Sequence, residues 1–193
     1  MKFYPAEMSG GIAKLISFAG PYKNVRFIPT GGINEENFRD YLALDNVVAV
    51  GGSFMVDKKQ LALGDFEAVR SELNRVVDVM LGMKLTHVGL NFDCSEEARN
   101  VADQLKTAFH MAAAEGNSSI FCGVKEFELM KVGGQGAHGH IAVSVTDIDR
   151  GIRFLKHRGV SVNLDTVVIK NGVKIAVYLE QEIGGFAFHL MKL

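Results

Sequence analysis

The chain has no excess of either charge. Its 193 residues carry 22 acidic and 21 basic side chains, net −1 with histidine neutral, and no basic block interrupts the mixture. That balance argues against a nucleic-acid partner, which needs a cationic face. Long apolar runs are missing too. Segments such as Val47–Val50 are far shorter than the roughly 20 residues that span a bilayer, so no membrane partner is expected. Pro5 and Glu7 fall where a signal peptide would need an unbroken apolar region. Cysteine is scarce: Cys94 and Cys122 lack metal-type spacing and read as a reduced, cytoplasmic thiol pair. What is present, 48% hydrophobic and 22% charged residues, is the composition of a globular protein with one large core or two small ones.

The chain is written in two grammars. Residues 1–81 alternate short apolar strands (2–4, 25–29, 47–50) with helices (11–20, 35–43, 66–81), a pattern of parallel β/α units. Asn34 is placed to cap the second helix, with Glu35 and Glu36 in its first turn. Residues 83–193 state a strand–helix–strands unit twice. Strands are expected at 84–92, 119–122 and 126–131, then 140–145, 167–170, 174–180 and 186–191, with helices at 95–111 and 148–159. Asn171-Gly172 is a strong hairpin signal. Each unit is about fifty residues, a domain repeat and not a solenoid period. The boundary is expected near Gly82.

Two features of the first half carry chemistry. Lys2 stands on a strand that ends at Pro5 and Glu7, before the glycine pair Gly10-Gly11 opens a helix. A lysine aimed from a strand end into a dry site can be held neutral and attack a ketone to form a Schiff base. Thr30-Gly31-Gly32 and Gly51-Gly52-Ser53 follow the next two strands. Glycines let the backbone approach an anion, and the Thr30 and Ser53 hydroxyls can donate to it. Taken alone, such Gly-Gly pairs are ordinary turns.

Lys2-Phe3-Tyr4-Pro5-Ala6-Glu7, Phe27-Ile28-Pro29-Thr30-Gly31-Gly32-Ile33 and Tyr41-Leu42-Ala43-Leu44 together resemble the class I aldolases that cleave ketohydroxyglutarate and ketodeoxyphosphogluconate (KHG/KDPG). The resemblance runs from Lys2 to about Gly64. It implies the sixth, seventh and eighth strands of a (β/α) barrel, with Lys2 as the Schiff-base lysine. Thr30, Gly31, Gly32, Gly51, Gly52 and Ser53 would contact the phosphate or carboxylate of a small keto acid, with no cofactor. The family's acid/base glutamate and carboxylate-binding arginine lie on an early strand without counterpart here. Glu7 does not match that glutamate and reads as a structural or surface residue. A proton-transfer group is worth roughly 10²–10⁴-fold in rate, so aldol cleavage by this chain alone is not expected.

The second half resembles the vicinal oxygen chelate superfamily of glyoxalases, extradiol dioxygenases and resistance proteins, on His138-Gly139-His140-Ile141-Ala142-Val143-Ser144-Val145 and Gly184-Gly185-Phe186-Ala187-Phe188-His189-Leu190. The resemblance implies paired βαβββ units around a cleft, with metal ligands on the first and last strands of each. Those positions are His87, Glu128, His140 and His189, types that suit Zn, Ni, Fe or Mn. His189 departs from the usual glutamate. His110 and His157 read as helix-surface residues, and His138 as a supporting or substrate-facing group. The expected organisation is therefore α/β followed by α+β: a partial barrel over 1–81 and an oxygen-chelate domain over 83–193. Function stays open between aldol cleavage of a 2-keto-4-hydroxy acid, a metal-dependent glyoxalase-type lyase or isomerase, and a metal-free module for a small metabolite. Three strands cannot bury both sheet faces, so an exposed apolar surface and a homo-oligomer are expected.

Overall fold

The computed structural model describes all residues, Met1–Leu193. The chain divides into two compact units, Met1–Met80 and Leu81–Leu193, in a mixed α/β fold with one large sheet. Both cysteines are free, and no helix is long and apolar enough to cross a membrane.

In the first unit β1 (Lys2–Phe3) pairs in parallel with β2 (Ile28–Pro29), followed along the chain by α2 (Phe38–Leu42), α3 (Lys58–Ala62) and α4 (Phe66–Leu81); α1 (Gly11–Ala19) lies between the strands in sequence. The register Lys2↔Ile28 and Phe3↔Pro29 sorts the two faces. Phe3 packs edge-to-face on Phe18 of α1 and on Phe27, in a core with Leu15, Phe38 and Tyr41. Lys2 and Ile28 point the other way and are exposed.

Two expectations need correction. The segment 47–50 is not a strand. It runs beside β2 through isolated parallel bridges, Phe27↔Val47 and Thr30↔Gly51. Three steps on one chain answer four on the other, so a residue bulges out and breaks the ladder. The second helix starts three residues late. Asn34 Oδ1 accepts from the backbone of Glu36 and Asn37, while Asn37 Oδ1 accepts from Asn34 N. That reciprocal Asx turn takes up the residues meant for the first helical turn. The short α3, capped by Asp57 accepting from Lys59 N, was not foreseen.

The second unit is an eight-stranded sheet in the order β4-β5-β6-β3-β7-β10-β9-β8. Its strands are β3 (Lys84–Asn91), β4 (Ala113–Glu115), β5 (Ser119–Cys122), β6 (Phe127–Met130), β7 (Gly139–Val145), β8 (Val162–Lys170), β9 (Val173–Leu179) and β10 (Phe186–Lys192). Helix α5 (Ser95–Phe109) follows β3, and α6 (Ile148–His157) follows β7. Each half is thus βαβββ. In each, the first strand pairs in parallel with the last, and the halves meet at the antiparallel β3–β7 pair.

Periodicity explains the helices. Ala98, Val101, Ala102 and Leu105 form the apolar stripe of α5 over Ile120, Cys122 and Leu129. Glu96 and Glu97 in its first turn and Lys106 in its last complement the helix dipole. Asp147 caps α6 by accepting from Arg150 N at 2.8 Å. The hairpin at Asn171-Gly172 has φ of 52° and 76°, the two left-handed residues of a type I′ turn. β4 was missed because Ala-Ala-Glu is short, fully exposed and poor in strand formers. β8 begins earlier than expected, since Asn163 and Asp165 read as turn residues although they lie within a bulged edge strand.

Candidate metal centre

Four inner strands of the large sheet each present one polar side chain to the same face: His87 on β3, Glu128 on β6, His140 on β7 and His189 on β10. The three histidines are 5–7% exposed. His87 Nε2 and His140 Nε2 lie 3.1 Å apart, and Glu128 Oε2 lies 3.2 Å from His140 Nε2 and 3.4 Å from His87 Nε2. One ring nitrogen from each histidine falls within 4.8 Å of the others.

The electrostatics suit a cation. Burial drives the pKa of His87 down, opposed by the Glu128 carboxylate and aided by His140. His189 is pushed down to about 4, first by burial and then by His140 and His87. Both rings are therefore neutral at pH 7, with lone pairs to give. Burial would raise the Glu128 carboxyl, but hydrogen bonds from His140 and Ser119 and the nearby imidazoles outweigh it and hold the pKa below the usual value. Ser119 Oγ donates to Glu128 Oε1 at 2.7 Å, fixing the carboxylate with Oε2 toward the histidines. His189 is the odd member: both ring nitrogens are buried and neither has a hydrogen-bond partner. A buried polar group left that way costs roughly 1–3 kcal/mol, a cost a bound cation would remove at the one nitrogen it takes. The donor set fits a divalent metal.

The cluster lines a cleft of about 690 Å³ together with the apolar Phe121, Met130 and Met191 and with residues 134–136. Tyr178 on β9 stacks on His189, centroids 4.7 Å apart and planes at 24°. Burial and the charge of Glu128 raise its pKa. Sequence reasoning missed Tyr178 and Ser119. The first sits opposite His189 in the β9–β10 register, and nothing in the local sequence flags the second. His138 is exposed and turned toward Phe186, outside the cleft lining. His110 caps the C-terminus of α5 with φ 55°, and His157 ends α6.

In the first unit the two glycine loops do come together. Thr30 bridges to Gly51, and Gly31 and Gly32 have φ of 96° and 82°. A Cβ on Gly32 would lie 2.5 Å from Glu7 Cγ, so that glycine is also needed for chain packing. Ser53 opens a single three-residue 3₁₀ turn, Ser53–Met55, and Gly52 has an extended backbone against the Phe54 ring. The Lys2 side chain is exposed, over the Tyr4 ring at 5.4 Å, and lacks the dry surroundings a Schiff-base lysine needs. Glu7 is engaged by the Tyr41 hydroxyl. Burial first, and then Glu7, raise the Tyr41 pKa.

Residues 1–72 match the family model described as KDPG and KHG aldolase. The N-terminal unit resembles these aldolases. The KHG/KDPG aldolase of Escherichia coli K12 is 46% identical over 77 residues, covering 40% of this chain and 36% of that protein. The 2-dehydro-3-deoxy-phosphogluconate aldolase of Dickeya dadantii is 50% identical over 68 residues, 35% of this chain and 32% of that one. The chain thus spans about a third of the length of the curated relatives it matches. Among solved structures, a KDPG aldolase from Legionella pneumophila holding pyruvate as a covalent carbinolamine is 38% identical over 39% of this chain and 37% of that chain, with a TM-score of 0.38. Methylmalonyl-CoA epimerase from Mycobacterium tuberculosis is 17% identical over 56% of this chain and 86% of that chain, with a TM-score of 0.42. The remainder resembles vicinal oxygen chelate proteins on its own topology, two βαβββ units joined at their first strands.

Proposed function

We propose that Leu81–Leu193 is a divalent-metal-binding domain of the glyoxalase type, a lyase or isomerase for a small hydroxy-keto compound, with His87, Glu128, His140 and His189 holding the ion. The observation behind this reading is the convergence of three buried imidazoles, two of them, His87 and His140, within 3.4 Å of the Glu128 carboxylate, with both nitrogens of His189 lacking a partner. Imidazole and carboxylate together suit Zn, Ni, Fe or Mn. A bound ion would supply Lewis-acid polarisation of a carbonyl oxygen. The chain supplies the rest. Ser119 orients Glu128, Tyr178 stacks on and fixes the plane of His189, and Phe121, Met130 and Met191 shield a ligand's carbon skeleton from water.

Metal analysis of the purified full chain tests this. Close to one divalent ion per chain is expected, lost in His140→Ala and kept in His110→Ala. A wild-type chain that takes up no ion would overturn the reading in favour of a metal-free metabolite-binding module.

For the first unit, we infer that Met1–Met80 corresponds to the last three strand–helix steps of an aldolase-type barrel, with Lys2 at the Schiff-base position. Thr30, Gly31, Gly32, Gly51, Gly52 and Ser53 would bind the phosphate or carboxylate of a small keto acid. The match over residues 1–72 and the Thr30–Gly51 bridge support this. Aldol turnover by this chain alone is not part of the proposal, because Lys2 is exposed and Glu7 is held by Tyr41.

A further inference from the structure

Each pair of clustered side chains on flanking strands reaches across a strand that carries almost nothing at the crossing point. Gly89 on β3 is in register with Glu128 on one side and with His140 on the other. Ala142 on β7 is likewise in register with His87 on one side and His189 on the other. Neighbouring strands lie about 4.8 Å apart, so the Cα atoms of Glu128 and His140 are separated by roughly 9.6 Å across β3. Their side chains nevertheless meet at 3.2 Å.

They meet because the His140 ring lies flat over Gly89. A Cβ built on Gly89 would stand 2.1 Å from His140 Cε1, 2.3 Å from Nδ1 and 2.5 Å from Nε2. No side chain, alanine included, fits beneath that ring. The requirement is not one of backbone conformation, since Gly89 does not have the positive φ that strains other residues. Glycine in a strand interior otherwise weakens it, so its place here calls for a packing reason, and the imidazole supplies one. The arrangement repeats with the duplication. His87-Val88-Gly89 on β3 and His140-Ile141-Ala142 on β7 each put a minimal side chain two residues after the histidine, on the same face of the strand.

We propose that Gly89 is a positioning residue of the metal centre: its bare Cα is the seat on which the His140 imidazole crosses β3 to join Glu128, and Ala142 plays the same part between His87 and His189. The proposal rests on the metal reading for its function but not for its geometry. In Gly89→Ala the new methyl lifts the His140 ring, so one donor leaves the cluster while the strand keeps its register.

Three full-length variants, Gly89→Ala, His140→Ala and the double variant, separate the possibilities. Cobalt(II) titration followed by its visible absorption reads the donor set, and thermal melting of the metal-free chain reads the packing. Gly89→Ala is expected to weaken cobalt binding by about tenfold or more, the range seen when groups that orient metal ligands are lost, and to alter the spectrum of whatever binds. It should also lower the melting temperature of the metal-free chain. In the His140→Ala background, where no ring overlies the site, the same substitution should leave the melting temperature unchanged or raise it. Wild-type affinity and spectrum in Gly89→Ala would overturn the proposal. So would an equal loss of melting temperature in both backgrounds, or a double variant that fails to fold, because Gly89 would then serve the strand and not the histidine. If the wild-type chain binds no cobalt, the metal reading fails, while the melting comparison still decides whether Gly89 seats His140.

Discussion

His189 makes the metal-free protein sensitive to mild acid, in an amount that follows from its surroundings. In the unfolded chain this imidazole takes up a proton near its ordinary value of 6.5, and in the fold only near 4. Between those values the unfolded state binds more protons, so stability falls as pH falls. The contribution is fully present above about pH 6.5 and is lost as pH drops toward 4. At 1.36 kcal/mol per pKa unit, the loss from this one group comes to about 1.4 kcal/mol by pH 5.5 and about 2.6 kcal/mol by pH 4.5. His87, also driven down by burial, adds in the same direction. Glu128 acts in a separate window. Its pKa is held below the usual 4.5, so its contribution is present above that value and is lost only in stronger acid. Urea unfolding of the full chain with a chelator present, followed by circular dichroism between pH 7.5 and 4.5, should show this slope. His189→Gln, which cannot titrate, should flatten it by about the amounts above, whatever its effect on stability at pH 7.5. An unchanged slope in His189→Gln would refute the claim that this ring is buried neutral.

Two further outcomes concern the first unit. The full chain should give no measurable retro-aldol cleavage of either 2-keto-4-hydroxyglutarate or ketodeoxyphosphogluconate, because Lys2 is exposed and Glu7 is engaged by Tyr41; turnover that disappears in Lys2→Ala would contradict this and direct attention to Glu7. The unit also leaves the apolar side chains of Tyr4, Met8, Ile28 and Val48 at 67%, 88%, 39% and 53% exposure, area that pairing with a second copy would cover. Sedimentation should show concentration-dependent self-association that Val48→Lys weakens, and a monodisperse monomer across the concentration range would sink this.

What could be read from the sequence divides along the same line as the chain. Most of the second half's elements announce themselves through local signals: the stripe Ala98, Val101, Ala102, Leu105 in α5, the Asp147 cap of α6, and the left-handed pair Asn171-Gly172 between β8 and β9. The positions of His87, Glu128, His140 and His189 followed from a resemblance, and their convergence depends on register, a property of strand pairs that no single segment carries. Gly89 shows the limit most plainly. In the sequence it is one glycine in a strand, a mild local fault. Only with Glu128 and His140 in register on either side does the same residue become the gap through which two side chains meet.

In the first half the legible signals were local and left the surroundings open. Lys2 does lie on a strand, and Thr30-Gly31 does lie beside Gly51. Whether a strand-end lysine is dry depends on what covers the sheet face it points from, and here that face bears exposed Lys2 and Ile28. The same side-chain type at the same strand end can be a nucleophile where it is covered or a solvated cation where it is not. Burial decides between them, as it does for the histidines of the second half. The three imidazoles are chemically interesting because the sheet buries them at 5–7% exposure beside one carboxylate, while His110 and His138, of the same residue type, stay at the surface and carry no such role.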